Sequence, residues 1–70
     1  MKTCKVHNRI RELRFQAGEM TQQELAAKIG VTRQTVVAIE KEKYSPSLEV
    51  AFRIAKEFAM PINDVFTYDG

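Results

Sequence analysis

An all-α domain is what this sequence predicts, on three observations: only three Gly and two Pro interrupt 70 residues, helix-favouring Ala, Leu, Ile, Glu, Lys, Arg and Gln fill the stretches between them, and apolar residues recur at intervals of three and four. At this length residues 1–70 make one domain at most, close to the smallest that buries enough apolar surface to fold unaided. A composition of 44% hydrophobic and 29% charged residues is that of a globular chain rather than a disordered or fibrous one.

Each element follows from local chemistry. Asn8 is placed to cap a first helix over about 9 to 17, with Ile10, Leu13 and Ala17 on one stripe and Gly18 ending it. The next start signal is more complete. Thr21 and Glu24 stand at the S/T-x-x-E spacing of a capping box, and Met20 and Leu25 occupy the positions of a hydrophobic staple. Helix 2 is therefore expected over about 22 to 29, through Leu25, Ala26 and Ile29, with Gly30 as the stop because only glycine adopts a left-handed conformation without steric cost. Thr32 caps a third helix over about 33 to 41, with Val31 stapled to Val36 and Ile39 turned inward. After a non-helical stretch, 42 to 46, Ser47 opens a fourth helix over about 48 to 58, whose inward stripe is Leu48, Ala51, Ile54, Ala55 and Phe58. Pro61 prevents simple continuation, and residues 62 to 66 allow one short final turn, which completes five helices. Thr3–Val6 and Phe66–Tyr68 have β propensity, so the two ends can pair as a small ribbon.

Several classes of function are disfavoured. Cys4 is the one cysteine and His7 the one histidine, so neither an internal disulfide nor a four-ligand Cys/His zinc site can be assembled within one chain, and no cofactor is expected. Catalysis lacks a base held against a nucleophile, because His7 and Cys4 fall in an N-terminal segment expected to be mobile. No apolar run resembles a signal peptide or a membrane span, so a cytoplasmic protein without a membrane partner is expected. No small-molecule ligand is expected.

Charge is distributed unevenly. From Met1 to Lys43 nine basic residues face five acidic ones, a net of +4, whereas from Tyr44 onward the net is −2. A basic first part suits contact with a polyanion, although two solvated faces would give the same imbalance.

Helix 2, a glycine-containing turn and helix 3 are the parts of a helix-turn-helix. Counted from Gln22, small Ala26 falls where the two helices would cross closely and Gly30 falls in the turn, while Leu25, Ile29, Val31, Val36 and Ile39 take the buried positions. The stretches Thr21-Gln22-Gln23-Glu24-Leu25-Ala26, Gly30-Val31-Thr32-Arg33-Gln34-Thr35, Ile39-Glu40 and Tyr44-Ser45-Pro46-Ser47-Leu48 closely resemble the Cro and phage-repressor-like helix-turn-helix family, the Xre family, and its short stand-alone transcriptional regulators in particular. The resemblance covers about residues 8 to 68 and departs from the family pattern at the longer Gly18-Glu19-Met20 turn and at Phe15, where polar residues are commoner. It implies a five-helix bundle of the lambda-repressor type that binds double-stranded DNA, with helix 3 as recognition helix and an ion pair between Arg14 and Glu40.

On that basis Thr32, Arg33, Gln34, Val37, Ala38 and Lys41 are the expected base contacts: Gln34 offers the donor and acceptor pair that reads adenine, Arg33 the fork that reads guanine, and Val37 or Ala38 a surface for a thymine methyl. Gln22, Thr35, Lys43 and Tyr44 are expected at phosphates. For Lys41 and Lys43 a favourable place at a helix C-terminus is an equal explanation. Three or four base contacts discriminate poorly, so a homodimer on a pseudo-palindromic operator is expected, joined through Ile62, Val65, Phe66 and Tyr68 unless Val65 and Phe66 instead close the core of one chain. The same fold serving as an antitoxin or other protein-interaction module is the alternative.

Overall fold

The computed structural model describes residues 6–69; Cys4 and the Thr3–Lys5 part of the expected strand lie outside the described residues. Five helices and a two-stranded ribbon follow one another as β1 (Val6–Asn8), α1 (Ile10–Gln16), α2 (Gln22–Ile29), α3 (Arg33–Glu40), α4 (Leu48–Glu57), α5 (Ile62–Val65) and β2 (Phe66–Tyr68). One apolar cluster receives a residue or more from every helix: Ile10 and Leu13 from α1, Leu25, Ala26 and Ile29 from α2, Val36 and Ile39 from α3, Ile54 and Ala55 from α4, and Val65 from α5. No helix among the described residues is long and apolar enough to cross a membrane.

Helix starts form where side chains replace missing intrahelical partners. The capping box is complete, Thr21 Oγ1 accepting from the Glu24 amide at 3.0 Å and Glu24 Oε1 from the Thr21 amide at 2.8 Å. Thr32 accepts from the Thr35 amide at 3.2 Å, and Ser47 from the Val50 amide at 3.2 Å. Asn8 acts one residue ahead of the cap position, its Oδ1 taking the Ile10 amide at 3.1 Å. The ribbon is antiparallel, with Val6 opposite Tyr68, His7 opposite Thr67 and Asn8 opposite Phe66.

Three expectations are corrected. Helix α1 ends at Gln16, one residue short of the expected limit, and Ala17 becomes an exposed cap residue rather than part of the buried stripe. Leu48, expected inside, is the first residue of α4 and is 69% exposed, outside the face that Val50, Ala51, Ile54 and Ala55 turn inward. His7, expected to be mobile, lies within β1, with Nδ1 at 2.8 Å from Glu42 Oε1.

Candidate nucleic-acid interface

Helices α2 and α3 meet through a very short connection. Gly30 sits at φ +76°, its amide bonded to the Ala26 carbonyl at 2.9 Å, and the Val31 amide reaches the same carbonyl at 3.0 Å. A side chain at position 30 would carry both the cost of a left-handed conformation and a contact of 3.2 Å with Arg53 Nη1, which itself donates to the Ile29 carbonyl at 3.2 Å. Ala26, fully buried, lets the two helices pack closely at their crossing. The turn thus fixes the direction in which α3 leaves α2.

The inward side of α3 is held by Val36 and Ile39, and the opposite side is open. Thr32, Arg33, Gln34 and Lys41 are exposed, while Val37 and Ala38 are half-buried between them and the core side. Arg33 and Gln34 occupy the first turn, where a protruding helix presents side chains to base edges, and Arg33, Lys41 and Lys43 form no ion pair with other described residues. Thr32 has a second task as cap, its hydroxyl also lying 3.0 Å from that of half-buried Thr35. Lys43 and Tyr44 are exposed on the segment that follows α3.

Behind α3 lies a polar network that ties three helices together. Arg14 Nε donates to Glu40 Oε2 at 2.7 Å and Nη2 to Glu40 Oε1 at 3.0 Å, a two-point pairing, while Nη1 donates to the Met20 carbonyl at 2.7 Å. The side chains are only 12% and 8% exposed, so this is a largely buried pair with its hydrogen-bonding capacity well used. Gln22, expected at a phosphate, adds its own amide, Nε2 donating to Glu40 Oε1 at 3.2 Å. The first residue of α2 is thereby linked to the last residue of α3.

The end of α3 is set by contacts that sequence reasoning missed. The Lys43 amide bonds to the Ala38 carbonyl at 3.0 Å and the Glu42 amide to Ile39 at 2.9 Å, a Schellman arrangement with Glu42 rather than glycine at φ +60°. Asn8 Nδ2 donates to the Ile39 carbonyl at 2.9 Å, and His7 grips Glu42. The hydrogen bond to Glu42, aided by the charge of that carboxylate and of Asp69, raises the pKa of His7 above its ordinary 6.5 against a smaller opposing effect of desolvation. Adjacent residues of β1 thus hold the segment carrying Lys43 and Tyr44. No local pattern announces contacts 31 and 35 residues apart in sequence.

Arg11 was also left out. Its guanidinium lies 5.9 Å from the centre of the half-exposed Phe15 ring, and both residues share a surface depression with Gln22 and Lys41. Among the expected dimer residues, Tyr68 is exposed and Ile62 and Phe66 are half-buried against the core. Val65 is corrected: at 1% exposure it closes the core of its own chain and has no surface to offer a second one. No group of three or more His, Cys, Asp or Glu among the described residues is arranged to hold a metal ion.

A first helix packed on the core by Leu25, Ala26 and Ile29, a glycine turn and a second helix with an open outer side define a helix-turn-helix protein. The family model described as Helix-turn-helix matches residues 10–65, and the chain belongs to this family, of the Cro and phage-repressor type. Relatives include an uncharacterised HTH-type transcriptional regulator of Methanocaldococcus jannaschii, 58% identical over 50 residues that span 71% of this chain and 76% of the relative. A second, from Archaeoglobus fulgidus and described in the same words, is 52% identical over 91% of this chain and 90% of its own. The cryptic phage CTXphi transcriptional repressor RstR of Vibrio cholerae is 38% identical over 83% of this chain, which spans 51% of that protein. In fold, the crystal structure of a protein from Bacteroides fragilis, provisionally described as DNA-binding, superposes with a TM-score of 0.76 at 21% identity, covering 89% of this chain and 98% of the other. The chain is thus a DNA-binding transcriptional regulator by family.

Proposed function

We propose that the protein is a sequence-specific repressor that binds a pseudo-palindromic operator as a homodimer, each copy placing α3 in the major groove, with half-sites about 34 Å apart. Arg33 and Gln34 read base edges, with Thr32, Val37, Ala38 and Lys41 beside them. Gln22, Thr35, Lys43 and Tyr44 meet phosphates and fix the register. Ile62, Phe66 and Tyr68 contribute to the dimer surface. The protein acts in the cytoplasm, on nucleoid DNA, without cofactor or small-molecule ligand.

The observation that carries this reading is the pairing of an exposed, cation-bearing first turn of α3 with a partly buried Arg14–Glu40–Gln22 network that ties it to α1 and α2 from behind. A groove-reading helix needs both. Selection of bound duplexes from a random pool at fixed salt, followed by Arg33→Ala and Gln34→Ala, tests it. Each bidentate base contact contributes about 1–3 kcal/mol, so each variant loses roughly 5- to 150-fold in specific affinity. Unchanged discrimination between selected and random duplexes in the double variant refutes base reading by α3. A complex with a protein partner that survives the double variant would instead favour the interaction module.

A further inference from the structure

The face of α4 that points away from the core leaves two large apolar side chains in solvent. Leu48 is 69% and Phe52 is 53% exposed, and their spacing of four places them on one stripe of the helix. Beside Leu48 runs an apolar groove of ≈ 320 Å³ lined by Pro46, Ala51, Ile62 and Phe66. The surface therefore holds projections and a hollow side by side. Its charges run from acidic to basic along the helix: Glu49 stands in the first turn of α4 and Lys56 in the last, both beside Leu48 and Phe52, with Arg53 between them paired to Glu49 at 2.7 Å.

We propose that this α4 face is where two copies of the chain meet, about a two-fold axis near Phe52 that runs the two α4 helices antiparallel, a proposal that rests on the homodimeric DNA-binding reading. A two-fold contact pairs a surface with itself, so that surface must carry both members of every complementary pair. This one does. Antiparallel α4 helices set the first turn of each against the last turn of the other, and Glu49 of each copy then faces the second copy's Lys56. At an interaxial distance of about 8–10 Å these side chains reach one another across the apolar stripe. Leu48 and Phe52 pack between them, with Leu48 at the mouth of the neighbouring groove. A flank of one sign would repel its own copy, whereas this one carries Glu49 together with Arg53 and Lys56. None of the α3 residues that read bases borders this face, so pairing leaves α3 open.

Sedimentation equilibrium of Glu49→Lys, Lys56→Glu, their equimolar mixture and the double variant tests the pairing. Each single variant places like charges together twice and dimerises roughly tenfold or more weakly. The mixture regains dimer, because every reversed charge then faces its opposite, and the double variant does so alone. Loss of the Glu49–Arg53 pair within the helix, 2.7 Å in the native chain, is common to the Glu49→Lys protein alone and in the mixture, so recovery reports the contact between copies. Single variants as dimeric as the native chain, a mixture no tighter than its components, or a native chain that is monomeric at tens of micromolar would each overturn the proposal. Binding to a single half-site duplex separates this from the wider reading. It is retained by all α4 variants if α3 reads DNA, whatever the masses show, and its absence in the native chain removes the DNA-reading premise while leaving the masses to decide the pairing.

Discussion

Glu40→Ala removes the acceptor for Arg14 Nε and Nη2 and for Gln22 Nε2 in one step, leaving a guanidinium with the Met20 carbonyl as its remaining partner. The size of the effect depends on which class of ion pair this is. Exposed pairs contribute about 0–1 kcal/mol, whereas breaking a buried pair by removing one partner costs about 3–5 kcal/mol, because the surviving charge stays desolvated. Exposures of 12% and 8% put Arg14 and Glu40 much closer to the second class than to the first. Stability of roughly 0.05–0.15 kcal/mol per residue gives a chain of this size on the order of 3.5–10 kcal/mol in total, so the substitution removes a third or more of it. Arg14→Met combined with Glu40→Leu leaves no buried charge behind and recovers most of the loss. Urea unfolding followed by circular dichroism, on the native chain, Arg14→Met, Glu40→Leu and the double variant, gives the four corners of the cycle, with Glu40→Ala measured beside them. A Glu40→Ala protein within about 1 kcal/mol of the native chain would refute the buried-pair reasoning, as would a double variant no more stable than that single one.

Three further outcomes follow from the same geometry. Gly30→Ala costs about 1–2 kcal/mol through its left-handed conformation and displaces Arg53 Nη1 from the Ile29 carbonyl, which urea midpoints would register; a stabilised variant would contradict the assigned turn. His7 has a raised pKa in the folded chain, so its bond to Glu42 adds stability that is fully present below the ordinary 6.5 and is lost as pH rises through the higher folded value. The stability difference between the native chain and His7→Gln is therefore largest near pH 5.5 and shrinks towards pH 8.5; a difference that grows with pH excludes the clamp. Lys43→Ala weakens binding to selected and random duplexes alike and lowers the slope of log affinity against log salt by about one, and an unchanged slope removes Lys43 from the phosphate contacts.

What the sequence disclosed is what short-range chemistry controls. Thr21 and Glu24 satisfy each other's amides three residues apart, Thr32 and Ser47 cap within one turn, and Gly30 alone can take its conformation cheaply, so these positions were legible without tertiary information. The ion pair of Arg14 and Glu40 was accessible only through resemblance, since 26 residues separate them. Asn8 was read as a cap, yet half of its carboxamide is spent on the end of α3. Left-handed Glu42 and Ala59 close α3 and α4 where glycine would have been the recognisable signal. Leu48 was assigned inward because the three- and four-residue spacing continues through it, but the spacing does not say where the core stops. For Val65 the choice between core and contact surface depended on how α5 folds back, a long-range matter that its packing against α4 and β2 decides, together with the bond of the Arg9 amide to the Val65 carbonyl at 3.0 Å.

Amide chemical shifts of the labelled protein, followed while a selected duplex is added, test the central claim most directly. The account requires the largest changes along Thr32 to Lys41, with smaller ones at Gln22, Lys43 and Tyr44. Changes gathered on α4, α5 or the ribbon, with α3 unmoved at saturation, would contradict it.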